Sequence, residues 1–162
     1  MAYTLKPVDD TFFDDAPLVV PATVQLHATP AQVWEALSSD AMWSWAPIID
    51  QVTWITPRPH AAGAIRRLRL LKLDTIEEEF YRWDEGRRAT FRVVAQSRQM
   101  LEGLAEDFLL EPLDGGAGTR LTWTMAIALR GVPAPPKALL PVLVRGNAAA
   151  IGGIRKILPP RG

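Results

Sequence analysis

The chain has 162 residues, 48% of them hydrophobic and 22% charged, which suits one globular domain and excludes a disordered or fibrous protein. Eighteen Lys and Arg offset eighteen Asp and Glu, so no net field draws in nucleic acid. The absence of cysteine removes disulfides, thiolate catalysis and thiolate metal sites.

The opening stretch MAYTLKPVDDTFFDDAPL is acidic where a secretory signal needs a basic start and an apolar run. No segment approaches the ~20 apolar residues of a membrane span, so a cytoplasmic protein without integral membrane association is expected. Residues 1–16 read as a flexible N-terminal arm whose Phe12 and Phe13 can dock, and residues 17–162 as a single domain. In PLVVPATVQLH, Leu18, Val20, Ala22, Val24 and Leu26 alternate with Val19, Pro21, Thr23, Gln25 and His27, the period of a half-buried strand. Pro21 places that strand near an edge. Thr29 followed by Pro30 starts a short helix with Val33, Trp34 and Leu37 inward. A second short helical turn covers Ala41–Trp45, stopped by Pro47.

Six strand-like runs follow, IDQVTWIT, GAIRRLRLL, DTIEEEFYRW, RRATFRVVAQ, MLEGLAEDFLLEPL and GTRLTWTMAIALRG, each bounded by Pro, Gly or charged turns. They predict an antiparallel sheet, with hairpin turns at DEGR and DGGAG. Last, Leu140, Leu143, Asn147, Ile151, Ile154 and Leu158 fall on one face of a long helix between Pro136 and Pro159. From Gly115 onward there is no acid, while Arg120, Arg130, Lys137, Arg145, Arg155, Lys156 and Arg161 are present. Such a basic, apolar tail suits anionic lipid, or acids such as Asp9, Asp10, Asp14 and Asp15 of the same chain.

The order and spacing of VQLHATPAQVWEAL, Trp45 with Pro47, GAIRRLRL, Ile76 with Glu78 and Phe80, and GTRLTWT resemble the START/SRPBCC superfamily, in particular its bacterial polyketide cyclase/dehydrase-like members. The resemblance covers roughly residues 18 to 160. It implies an α+β helix-grip fold: a curved antiparallel seven-stranded sheet wrapped around the long C-terminal helix, two short helices between strands 1 and 2, and a cavity between sheet and helix. Among the superfamily's activities it implies lipid transport, polyketide cyclisation and chaperone activation.

Strand alternation places Arg66 with Leu68 on the inner face of one strand and Glu78 with Ile76 and Phe80 on that of the next. A turn near Lys72 makes Arg66 and Glu78 cross-strand neighbours, either a structural pair or the anchor for a polar group of a ligand. Trp123 faces the long helix, where GNAAAIGG leaves space for close helix contact or for a ligand, with Asn147 and Ile151 on the inner stripe. Trp34 reads as a core anchor, and Trp43 and Trp45 as residues at the pocket rim. His27 and His60 fall on an outward strand position and a loop, which leaves no obvious base, and neither a zinc spacing nor a phosphate loop occurs.

The expected function is binding of a small hydrophobic ligand, lipid-like, aromatic or polyketide-like, by Trp43, Trp45, Arg66, Leu68, Glu78, Phe80, Phe91, Trp123, Asn147 and Ile151. The alternatives are a cyclase or dehydrase in which Arg66 polarises a carbonyl and Glu78 moves a proton, and a protein-interaction or chaperone-assisting domain. No cofactor or metal is expected; the partner is a small hydrophobic molecule rather than nucleic acid, with room for a homodimer.

Overall fold

The computed structural model describes residues 2–135 and 137–158. Its sheet is built from β2 (Leu18–Leu26), β3 (Ile49–Trp54), β4 (Ala64–Leu70), β5 (Asp74–Asp84), β6 (Arg88–Gln96), β7 (Leu101–Leu113) and β8 (Gly118–Leu129). These seven strands run antiparallel in the order β2-β8-β7-β6-β5-β4-β3, a curled half-barrel with a C-terminal helix packed along β2. Every neighbouring pair after β3 is a hairpin, which is why a run of turn-bounded segments suffices to specify the order. The chain returns only once, to lay β8 against β2 with Leu18 opposite Ile127 and Leu26 opposite Thr119.

The helix α2 (Pro30–Leu37) starts as its sequence signals. The Thr29 hydroxyl accepts from the Gln32 amide while the Gln32 side chain accepts from the Thr29 amide, and Pro30 takes the first turn. The second short helix expected at Ala41–Trp45 is instead a succession of turns. Trp43 adopts φ +67°, a left-handed conformation that an α-helix cannot contain.

The N-terminal arm is fastened along the outer face of the sheet. A two-residue strand β1 (Tyr3–Thr4) pairs with Gln96 and Ala95 of β6. It can do so because β6 pairs with β7 only from Arg88 to Arg92, leaving the last residues of β6 without a neighbour on that side. Leu5 follows into the core, Asp10 binds Arg82, and Phe12, in the single turn α1 (Phe12–Asp15), lies over Gly103, where an added Cβ would stand 2.9 Å from its ring. Gly103 is small because the arm needs its surface.

The C-terminal helix α3 (Leu140–Gly152) is flanked by 3-10 turns at Lys137–Leu139 and Gly153–Lys156. Its second half is anchored: Ile151 and Ile154 are buried, and Trp45 lays its indole on Gly153 while donating Nε1–H to the Ala150 carbonyl at 2.7 Å. A Cβ on Gly153 would overlap that ring, so part of the glycine content read as a hollow is a seat for Trp45. Gly153→Ala is therefore expected to cost about 2–3 kcal/mol by overpacking. In a Trp45→Ala background the same change should be neutral or slightly stabilising, because alanine is the better helix former; denaturant titration of the four chains checks the reversal, and a penalty that persists without the indole would show another cause.

Candidate functional site

On β4 the buried Ala64, Arg66 and Leu68 alternate with Ile65, Arg67 and Arg69, and β5 carries Ile76, Glu78 and Phe80 in the same phase. Arg66 and Glu78 are register partners, as the alternation predicts. Arg66 Nε and Nη2 donate to a single carboxylate oxygen, Glu78 Oε2, at 2.8 and 2.5 Å. Arg66 is 0% exposed, yet its third nitrogen, Nη1, has no acceptor. The guanidinium carbon stands 5.0 Å from the Phe80 ring, 5.1 Å from Phe91 and 5.5 Å from Trp54, so aromatic faces replace water around the charge. Glu77 and Glu79 point outward to Arg67 and Arg92.

The row of inward polar groups continues on β7. Glu106, opposite Phe91 of β6, is buried and accepts the Trp123 Nε1–H at 2.8 Å. Burial, and next the negative charge of Glu78, push the Glu106 carboxyl up to about 8, against the Trp123 hydrogen bond and the Arg66 charge. Burial also raises Glu78, with Arg66 opposing it. At neutral pH the inner face thus holds an Arg66–Glu78 pair and a Glu106 that is largely the neutral acid. Sequence reading missed Glu106, although Leu104, Glu106, Phe108 and Leu110 alternate by the rule that found Glu78. The bulge between Leu101 and Gly103 shifts the phase at the start of β7, and the adjacent Asp107, which faces Arg88 and Thr90, competes for the inward position.

Trp43 does not stand at a rim. Trp43 is 4% exposed, 5.1 Å from Trp123 and 5.6 Å from Trp45 between ring centres, and belongs to the same core as Leu68, Phe80, Phe91, Phe108 and Ile151. The left-handed turn at Trp43 lets two nearly adjacent indoles point inward together. The hollow expected beneath α3 is thus occupied in this structure by Met42, Trp43 and the aromatic side chains of the sheet.

The groove nearest this core lies at one end. At the β5–β6 turn an open groove of about 600 Å3 is walled by Trp34, Arg58, His60 and Trp83. Behind it a void of only about 10 Å3 reaches Phe80 and Phe108. His60 is half-buried: it stacks on Trp54 at 3.9 Å, both its nitrogens are buried without partners, and burial, then the Arg58 charge, hold it below the usual histidine value. At the opposite end α3 covers less. Leu143, Val144 and Asn147 are half-buried, as are Ile49, Leu70, Met125 and Ile127 on the sheet, and Asn147 Nδ2, like Trp54 Nε1, is a further buried donor without an acceptor. Among the described residues no group of His, Asp and Glu could hold a metal ion, and no helix is long and apolar enough to cross a membrane.

Comparison with known proteins agrees with this architecture. Residues 17–156 match the family described as polyketide cyclase/dehydrase and lipid transport. An uncharacterized protein of Mycobacterium tuberculosis strain H37Rv is 37% identical over 135 residues, 83% of this chain and 79% of that one. Among solved structures, a START superfamily protein from Mycobacterium smegmatis superposes with a TM-score of 0.69 at 15% identity, covering 86% of this chain and 96% of the other. The Zhui aromatase/cyclase from Streptomyces sp. R1128 gives 0.65 at 18%, covering 86% and 92%. At these identities the two structures share the helix-grip fold.

Proposed function

Because the chain belongs to the polyketide cyclase/dehydrase and lipid transport family, we propose that it holds an apolar, carbonyl-bearing molecule against the inner face of its sheet, with Arg66 binding the oxygen. Family and fold point to a START-type domain for a hydrophobic ligand. The observation that carries the finer reading is Arg66 Nη1, a charged donor buried without an acceptor. Such a group is costly to leave unpaired, and a ligand oxygen removes that cost. Leu68, Phe80, Phe91, Trp43, Trp45, Trp123 and Ile151 supply the apolar surround, and Asn147 a second donor. A ligand reaches Arg66 only if Met42 and Trp43 move out of the hollow they fill, and the half-buried contact between the first half of α3 and the sheet is where such an opening costs least.

The test is calorimetry with methyl naphthyl ketone and ethylnaphthalene, which match in size and differ in the acceptor. The ketone should bind about tenfold more tightly, the value of one buried hydrogen bond at roughly 1–1.5 kcal/mol. Equal affinities would remove Arg66 from the recognition of ligand.

One observation favours a second reading, a dehydrase. Glu106 titrates at about 8, near the working pH an acid catalyst needs. With Arg66 on the carbonyl of a β-hydroxy ketone, Glu78 takes the proton from the α-carbon and Glu106 gives its proton to the departing hydroxyl, which leaves as water. The proton then on Glu78 returns to Glu106. Turnover of an aryl β-hydroxy ketone that disappears in Glu106→Gln while ketone affinity is kept supports this reading; absence of turnover in the parent chain leaves the binder.

A further inference from the structure

All six large hydrophobic side chains that are more than half exposed among the described residues lie at one end of the half-barrel. Ile48 precedes β3, Leu71 and Leu73 form the β4–β5 turn, Met100 the β6–β7 turn, Val132 follows β8, and Val142 is in the first turn of α3, with exposures from 52% to 66%. The antiparallel order brings them together: the Leu71 amide donates to the Ile48 carbonyl, and the Arg130 amide to that of Met100. At the other end the turns carry Asp84, Glu85, Arg87 and Asp114, and the most exposed large hydrophobic there is Ile55 at 45%. Apolar residues gathered on loop tips at one pole are not the scatter expected of an ordinary surface.

Charge identifies the occupant. Lys72, Arg98, Arg130, Lys137 and Arg145 are exposed at the same end, and none is in an ion pair among the described residues. Two of the acids at this end serve the turns. Asp50 accepts from the Lys72 amide, and Asp74 accepts from the Thr75 and Arg98 amides and the Ser97 hydroxyl. Asp14 and Asp15 in α1 and Glu102 at the start of β7 are exposed beside the end of β8, so the excess of positive charge lies on the other side of this end, where Lys137 and Arg145 of the C-terminal segment have no acid in their own stretch of chain.

The β4–β5 turn adds an independent sign. Leu71 and Lys72 both adopt left-handed backbone, φ +49° and +55°, where Asn and Gly are favoured and a leucine is strained. The turn holds a Leu-Lys-Leu tip in water at the expense of stability, a cost that folding alone does not require.

We propose that this pole is a docking surface for anionic lipid bilayers: the apolar tips enter the headgroup region and the ring of Lys and Arg meets the lipid phosphates. Apolar area and electrostatic attraction add in such binding. The inference is independent of what Arg66 binds, since no rim residue belongs to the inner site.

Flotation with vesicles of phosphatidylcholine, alone or mixed with phosphatidylglycerol, tests it. The chain should bind the mixed vesicles and much less the neutral ones, with affinity falling as salt rises. Leu73→Glu/Val142→Glu should lower binding at least tenfold, and neutralising Arg130, Lys137 and Arg145 should cost about fivefold for each charge. Leu71→Asn/Lys72→Gly should raise the melting temperature and still weaken binding, which separates docking from folding, and Ile55→Glu at the opposite pole should leave binding unchanged. Failure of the unaltered chain to bind mixed vesicles would overturn the proposal. So would rim variants that bind as it does, or a rim that proves to pair two copies, seen as a dimer in sedimentation that Leu73→Glu/Val142→Glu dissociates without any vesicle binding.

Discussion

Replacing Arg66 by Met is expected to destabilise the fold by about 3–5 kcal/mol, because it strands the Glu78 carboxylate in the interior. Arg66→Met/Glu78→Met should recover most of that loss, since a buried ion pair exchanged for packed apolar groups is often neutral or stabilising. The single variant's deficit should also shrink as pH falls. Without the guanidinium, Glu78 escapes stranding by taking a proton, which becomes easier at low pH. Urea denaturation of both variants at two pH values measures this. A single variant close to the parent, or a double variant worse than the single, would mean that the pair does not govern the interior.

The second large effect is a pH dependence. Glu106 moves from an ordinary 4.5 in the unfolded chain to about 8 in the fold. Below the lower value both states carry the proton and the carboxyl costs nothing. As pH rises the unfolded chain ionises first, so the native state binds more protons and stability falls until Glu106 itself ionises near the upper value. At about 1.4 kcal/mol per pH unit, the decline across this window is roughly 4 kcal/mol. Glu106→Gln cannot ionise and can still accept from Trp123, so its stability should fall less steeply over the window, with the remaining slope due to Glu78, which burial also raises, and should be higher than the parent's at pH 8. A parent curve as flat as that of the variant would place the Glu106 carboxyl in an ordinary environment.

Strand alternation and turn chemistry made the sheet and its central pair legible in the sequence. Arg66 and Glu78 stand at equal distances from the turn at Lys72, so register and facing follow together. Features set by tertiary contact were not legible. Trp43 turns inward through a left-handed backbone that no propensity announces, and His60 is drawn under cover by stacking on Trp54. Gly153 looks like helix weakness until the Trp45 indole is seen on it, and β1 forms only because β6 outruns its pairing with β7. Glu106 lies between these cases, readable by alternation once the bulge at the start of β7 is known.

The carbonyl carbon resonance of labelled methyl naphthyl ketone bound to the protein reads the Arg66 contact most directly. It should lie well downfield of its position in an apolar solvent, as a hydrogen bond from a buried guanidinium requires, and move back toward that position in Arg66→Met/Glu78→Met. A bound ketone that resonates as it does in hydrocarbon in the unaltered protein would contradict recognition by Arg66.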